Sequence, residues 1–180
     1  HELFGQKKCV EAFQQLAEQI DGLESETFTR EVRKLTGAEA QECANNTIDE
    51  LTTTGKFAEA RTFVNAAPTK SVLGAPGAKK LATELDLVIA EALKGQVQPE
   101  IKAKKWSAAL EKIDAAVKSG NATEEIAATA IAAVREAGAS DIAAQASRAV
   151  GQGDAPKTLA AVDATIKQLR WETTAADGAP

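Results

Sequence analysis

Alanine accounts for 38 of the 180 residues, and the chain contains neither tyrosine nor methionine. Alanine loses no side-chain entropy in a helix and is depleted from strands, so this content favours helices. No segment shows the sustained apolar and polar alternation that marks a half-buried strand. The sequence therefore predicts an all-α protein. A chain of this length buries about two-thirds of the surface that its unfolded form exposes, which is enough for a core without metals.

The charged residues and the single histidine argue against several functional classes. The chain has 26 acidic and 21 basic side chains, whereas nucleic-acid binders concentrate an excess of lysine and arginine. Its one histidine is residue 1, so the commonest general base and metal ligand is missing from the rest of the chain. The acidic clusters lie in polar stretches or at expected helix starts, where the helix dipole favours negative charge. We therefore predict a non-enzymatic protein with no catalytic residue, metal or cofactor, and no nucleic-acid partner.

Apolar runs in the chain are short. The longest uncharged and mostly apolar stretch, Ile126 to Val134, has nine residues, whereas a transmembrane helix needs about 20. The sequence therefore predicts no transmembrane segment, and peripheral association with a membrane complex stays open. Because methionine is absent even at position 1, we expect a processed form, an expressed fragment or the ordered part of a longer protein.

Glycine and proline residues suggest where the chain divides. We predict a phenylalanine-rich helical part at residues 1–67, a linker at 68–77, an alanine-rich helical part at 78–171 and a flexible tail at 172–180. The linker prediction rests on two prolines and two glycines in ten residues with little periodic pattern. The two helical parts could also form one continuous domain.

Apolar spacing within the first part predicts several short helices. Phe28, Val32 and Leu35 follow helical spacing and predict the buried stripe of one helix, which Gly37 is expected to end. The same reasoning predicts helix breaks at Gly95 and Gly138 and a helix start at Pro99.

A spacing of 49 residues relates two stretches of the chain. The aligned pairs are Phe57 with Trp106, Ala60 with Ala109, Val64 with Ile113, and Ala67 with Ala116. The second helix of a helical hairpin repeat needs such residues, because the aromatic ring wedges into its neighbour while alanine permits close backbone contact.

These stretches resemble second helices of the tetratricopeptide family, with Gly55 in the place of the motif's turn glycine. The preceding segments depart from the family's first helix, and the period is longer than the family's, which is about 34 residues. The resemblance implies antiparallel helical hairpins stacked as a short α-solenoid. The same residues are equally compatible with a plain helical bundle.

The two cysteines, Cys9 and Cys43, lie on the inward faces of the first and third predicted helices. They either form a disulfide, which implies an oxidising compartment, or they are small apolar core residues in a reducing one. The localisation stays open, with a lean towards an exported or organellar lumenal compartment.

The densest basic cluster is Lys102, Lys104 and Lys105, directly before Trp106. We predict that Trp106 is buried and that the lysines are a contact patch for an acidic protein partner or anionic headgroups. The leading functional hypothesis is a helical protein-interaction scaffold, a subunit of a larger assembly. The alternative is an extrinsic subunit that stabilises a membrane complex on a lumenal or periplasmic side, as in photosynthetic complexes, and a helical bundle around a hydrophobic ligand comes third.

Overall fold

The computed structural model describes residues 2–5, 8–152 and 155–171. All the regular structure in these ranges is helical, which confirms the all-α prediction. The helices are α1 (Glu2–Gly5), α2 (Cys9–Asp21), α3 (Glu26–Thr53), α4 (Phe57–Asn65), α5 (Ala67–Lys102), α6 (Trp106–Lys118), α7 (Glu124–Gln152) and α8 (Ala155–Gln168). Within the described ranges, none of these helices is apolar over enough of its length to cross a bilayer. The predicted tail at 172–180 lies outside the described residues.

The chain divides into two compact units between Ile89 and Ala90. In the first unit, an aromatic cluster fills part of the core. The ring of Phe13 lies edge to face with those of Phe4 and Phe63, with ring centroids 6.0 and 5.5 Å apart. This cluster gives the first unit the bulky core that its phenylalanine content predicts.

In the second unit, helices α6, α7 and α8 pack against one another. Trp106, the first residue of α6, is 3% exposed, which confirms its predicted burial. Most of the other buried side chains are aliphatic or alanine, namely Ala109, Leu110, Ile113, Ala122, Ile126, Ala127, Ala130, Val134 and Leu169. Small side chains let the helices approach closely, so in this core closely spaced helices pack around one large ring.

The segment predicted as a linker, residues 68–77, is helical on both sides of a single break at Gly74. Gly74 has φ 68° and ψ 169°, a conformation that glycine adopts without steric cost. Pro68 lies in the first turn of the helix before the break and Pro76 in the first turn after it. First-turn amides need no intrahelical partner, so neither proline interrupts a helix.

The predicted helix stops at Gly37 and Gly95 are wrong, because α3 and α5 run through both residues. A Cβ added at either position would meet nothing within 4 Å, so these glycines lie in open surroundings. The predicted start at Pro99 is also wrong. The one backbone bond that Pro99 cannot make is to the carbonyl of Gly95, and both residues are exposed, so water can satisfy that carbonyl.

The predicted turn at Gly138 is wrong for a different reason. Helix α7 is continuous there, and a Cβ on Gly138 would lie 2.5 Å from a methyl carbon of Leu169. Leu169 is fully buried just after α8. The glycine therefore marks a close packing contact and not a helix end.

Candidate functional site

The first unit has a groove on its surface. It lies between α2 and α3, with α1 at one end, and has a volume of about 440 Å³. We call it the α2–α3 groove. Its lining residues are Leu3 and Phe4 from α1, Ala12, Gln15, Leu16 and Gln19 from α2, and Val32, Leu35 and Thr36 from α3. The lining therefore combines apolar side chains with the polar but uncharged side chains of Gln15, Gln19 and Thr36.

A disulfide holds the two helices that form the groove. The structure brings Cys9 and Cys43 together, with their Cα atoms 5.6 Å apart, and bonds them. Both side chains are buried. The bond joins the first residue of α2 to the middle of α3, whereas a short turn connects the other end of α2 to the start of α3. The hairpin is thus covalently closed at both ends.

The apolar side chains beside the groove are exposed, which corrects the prediction of a buried stripe on this part of α3. Phe28 is 66% exposed and Leu35 is 73% exposed, while Val32 is half-buried. The buried residues of α3 all lie in its second half, at Ala40, Cys43, Ala44 and Ile48. Helical spacing identified the stripe correctly but could not show that the helices of the described residues leave it exposed.

The acidic side chains near the groove lie on the same faces as its rim. On α2, Glu11 precedes Gln15 by four residues and Glu18 follows it by three. On α3, Glu31 precedes the exposed Leu35 by four residues. Glu42 follows Leu35 by seven residues, two turns further along the same face. All four carboxylates are exposed.

Two of the three basic side chains of α3 lie away from the groove. Arg30 and Lys34 each lie two residues from Val32, about 200° around the helix from the groove. The third, Arg33, is half-buried and donates a hydrogen bond from Nε to the carbonyl of Ser71. Residues 9–53 contain ten acidic and three basic side chains, a net charge of −7, whereas the whole chain carries −5. The acidic excess of the protein is therefore concentrated in the hairpin that forms the groove.

The predicted lysine patch is less basic than its sequence suggests. Lys102 ends α5, Lys104 lies in the turn, Lys105 precedes α6, and all three side chains are exposed. However, the Lys104 Nζ atom pairs with the Oδ1 atom of Asp141 on α7. Glu100 lies within the same stretch of sequence. One of the three predicted patch residues thus has a structural partner.

Two carboxylates in this region have lowered pKa values. Burial by itself would raise the pKa of Asp141, but hydrogen bonds from Lys104 and Gln145 outweigh it and lower that pKa. A hydrogen bond from Lys112 is the main cause of the lowered pKa of Glu100, with a smaller contribution from the charge of Lys105. Both groups favour their charged forms, so they act as ion-pair partners and not as general acids.

The same backbone hydrogen bond precedes three of the shorter helices. A backbone bond spanning five residues runs from Lys8 N to Leu3 O, from Lys56 N to Leu51 O and from Lys105 N to Glu100 O, with lengths of 3.1, 2.8 and 2.8 Å. Such six-to-one bonds characterise the Schellman ending of a helix. The residue before Lys56 is Gly55 with φ 75°, and the one before Lys105 is Lys104 with φ 57°.

The helices after these turns begin at Cys9, Phe57 and Trp106, at intervals of 48 and 49 residues. Equivalent positions in the three helices are buried: Cys9, Phe57 and Trp106, then Ala12, Ala60 and Ala109, then Leu16, Val64 and Ile113. The sequence comparison found only the second and third members, because a cysteine stands where the others have an aromatic residue. A lysine directly precedes each of the three helices, and this shared residue is the sequence signal that could have identified the first member.

No cluster of three or more histidine, cysteine, aspartate or glutamate side chains within the described ranges could hold a metal ion. No protein-family model, curated protein or solved structure matches the chain.

Proposed function

We propose that the chain is a non-catalytic helical protein-interaction module, a subunit of a larger assembly, and that it holds its protein partner in the α2–α3 groove. The observation that carries this proposal is the exposure of Leu35, which lines the groove, and of Phe28, which lies four residues before the lining residue Val32 on the same helix face. Isolated exposed apolar residues are normal on soluble proteins, whereas apolar residues that continue into a groove are typical of interaction sites. Large aromatic anchors such as Phe28 also supply much of the binding free energy in many interfaces.

The repeated backbone hydrogen bond supports a repeat architecture for this module. Three helices start at intervals of 48 and 49 residues, each after the same backbone hydrogen bond, as we would expect of helical hairpin repeats related to the tetratricopeptide type. Proteins of this architecture present helix faces and grooves to other proteins. The repeat and the groove therefore favour the same class of function.

A second candidate is favoured by the disulfide. Disulfides persist in oxidising compartments, so the Cys9–Cys43 bond favours an exported or lumenal location. In that case the larger assembly would be a membrane complex, and the chain would stabilise it from a lumenal or periplasmic side. The groove would then be the contact with the complex.

The proposal can be tested with variants of the exposed apolar residues. The partner is first recovered from the native source by affinity purification, identified by mass spectrometry and purified. We then expect Phe28→Ala and Leu35→Ala each to weaken its binding at least tenfold, as anchor residues do. Leu159→Ala is the matched control, because Leu159 is 69% exposed on α8, in the other unit. Full binding by the Phe28 and Leu35 variants, with loss in a Lys102 and Lys105 variant, would contradict the proposal.

A further inference from the structure

We propose that the occupant of the α2–α3 groove is a cationic amphipathic helix of another protein. This inference rests on the proposed function and specifies its partner by shape and charge.

The shape of the groove suits a helix. Phe28, Val32 and Leu35 are separated by four and then three residues, which is the spacing of a helical seam. From Phe28 to Leu35 the seam extends two turns, roughly 10 Å along the axis of α3. Leu16 and Ala12 on α2 form the facing wall of the groove. An added helix would place apolar residues at positions i, i+3 or i+4, and i+7 into this surface, as helices do in other apolar grooves.

The negative charge of the hairpin favours a partner of positive charge. By helical spacing, Glu11 and Glu18 lie next to the lining residues of α2, and Glu31 and Glu42 lie on the side of α3 that carries Leu35. A bound helix would present the residues that flank its apolar stripe to these carboxylates, so lysine or arginine at those positions would be favoured. Complementary charge across an interface raises the association rate and excludes wrong partners.

The same charge argues against two other occupants. A second copy would bring another hairpin of net charge −7 to the same face, which like-charge repulsion opposes. An anionic lipid surface would be repelled for the same reason, because surface association of that kind depends on lysine and arginine. A cationic helix is the occupant that gains from both the apolar lining residues and the acidic rim.

The test uses three synthetic helical peptides with one apolar stripe of leucine and with lysine, glutamine or glutamate at the flanking positions. Binding to the intact, oxidised chain is measured by fluorescence anisotropy at low and high salt. We expect the lysine peptide to bind at least tenfold more tightly than the glutamine peptide and the glutamate peptide to bind most weakly. Salt screens exposed charges, so the preference should shrink at high salt.

Two sets of variants separate the apolar and the charged contributions. Phe28→Ala with Leu35→Ala should weaken the binding of every peptide. The triple variant Glu11→Gln, Glu31→Gln, Glu42→Gln should weaken only the lysine peptide, by about the factor that separates it from the glutamine peptide. Glu136→Gln on α7 is the matched control for charge and should leave binding unchanged.

Each contrary outcome identifies what fails. Equal binding of the three peptides, with loss in the Phe28 and Leu35 variant, would overturn the cationic partner and leave the docking groove in place. Binding that ignores Phe28 and Leu35, or no binding by any peptide, would overturn the proposed function of the groove itself. Two further results would also overturn the inference. One is a dimer in sedimentation that is lost in the Leu35→Ala variant, which would assign the groove to a second copy. The other is binding to phosphatidylglycerol vesicles that is lost in the same variant, which would assign the groove to an anionic lipid surface.

Discussion

The hairpins α2–α3 and α6–α7 follow the same type of backbone hydrogen bond and differ in how the short helix is tied to the long one. In the first, Cys9 is bonded to Cys43. In the second, Lys104, two residues before Trp106, pairs with Asp141. Cys43 and Asp141 are 98 residues apart, close to the 97 residues that separate Cys9 from Trp106, so the two ties join similar parts of the long helix.

The two hairpins also differ in packing, and the one with the weaker tie is the more closely packed. The hairpin with the ion pair packs tightly, with Trp106 buried and Leu169 pressed against Gly138. The hairpin with the disulfide leaves Phe28 and Leu35 exposed beside a groove. A covalent bond stabilises a hairpin without requiring that its apolar faces be covered. We infer that the disulfide lets the first hairpin keep an open apolar surface, whereas the second depends on close packing.

The largest expected effect is on the closely packed hairpin. Trp106→Ala should lower the free energy of unfolding by about 3 to 5 kcal/mol, because it removes a large buried ring and leaves a cavity. Phe28→Ala should change it by less than about 0.5 kcal/mol, because that ring is exposed. Urea unfolding followed by circular dichroism measures both. A stable Trp106→Ala variant would show that the second hairpin does not depend on this packing.

The disulfide should contribute nearly as much to the first hairpin. The two cysteines are 34 residues apart, and closing a loop of that size stabilises the folded state by about 3 to 4 kcal/mol in the chain-entropy model. Replacing both with serine should lower stability by that amount and speed hydrogen exchange in α2 and α3. Exchange in α6 and α7 should change little. Adding a reductant should destabilise the native protein and leave the serine variant unaffected, and equal sensitivity of the two would contradict the account.

The glycines offer a smaller test of the packing difference. Gly138→Ala should cost about 1 to 3 kcal/mol, because a methyl group there would overlap the buried side chain of Leu169. Gly37→Ala should instead stabilise the protein by about 0.5 to 1 kcal/mol, since the site is open and alanine is the better helix former. Thermal unfolding of the two variants shows whether each substitution raises or lowers stability. Stabilisation by Gly138→Ala would mean that α7 and the end of α8 are not in close contact.

The smallest effect concerns the ion pair. Asp141→Asn should cost about 1 kcal/mol or less at neutral pH, because Lys104 is largely exposed and solvent screens the pair. The pKa of Asp141 is lowered in the folded state, so its contribution is present above the ordinary aspartate pKa of about 3.9 and is lost as pH falls through the folded value. The stability difference between native protein and variant should therefore shrink between neutral pH and about pH 3. A difference that grows on acidification would contradict the lowered pKa.

The turn at Lys104 provides a control for that measurement. Its φ of 57° suits glycine better than other residues, and Gly55 stands at the equivalent position in the other turn. Lys104→Gly should therefore be less destabilising than Lys104→Ala, because glycine relieves backbone strain while both substitutions remove the ion pair. Equal effects of the two substitutions would show that the backbone conformation carries no cost.

The fold class, the burial of Trp106 and the interval of 49 residues could be predicted, because they depend on composition and on periodicity along the chain. The helix ends could not be predicted from glycine alone. Gly37 lies in open surroundings, Gly138 lies against Leu169, and only the packing of distant residues distinguishes them. Proline alone does not identify a linker either, because Pro68 lies in a first helical turn, which accepts it.

The groove was missed because helical spacing predicts which residues share a face but not whether another element covers that face. Phe28 and Leu35 form the same pattern as a buried stripe. The pairing of Lys104 was missed for a related reason. Asp141 is 37 residues from Lys104 in the sequence, and only the packing of α7 beside the turn brings them together.

The central claim is that the first hairpin is the docking surface and the second is structural. Hydrogen exchange of the oxidised chain with and without the lysine-bearing peptide tests it most directly. We expect slower exchange in residues 9–21 and 26–40 when the peptide is bound, and unchanged exchange in residues 106–148. Protection confined to the segment around Lys102 and Lys105, with none in α2 or α3, would contradict the claim and assign binding to the lysine patch.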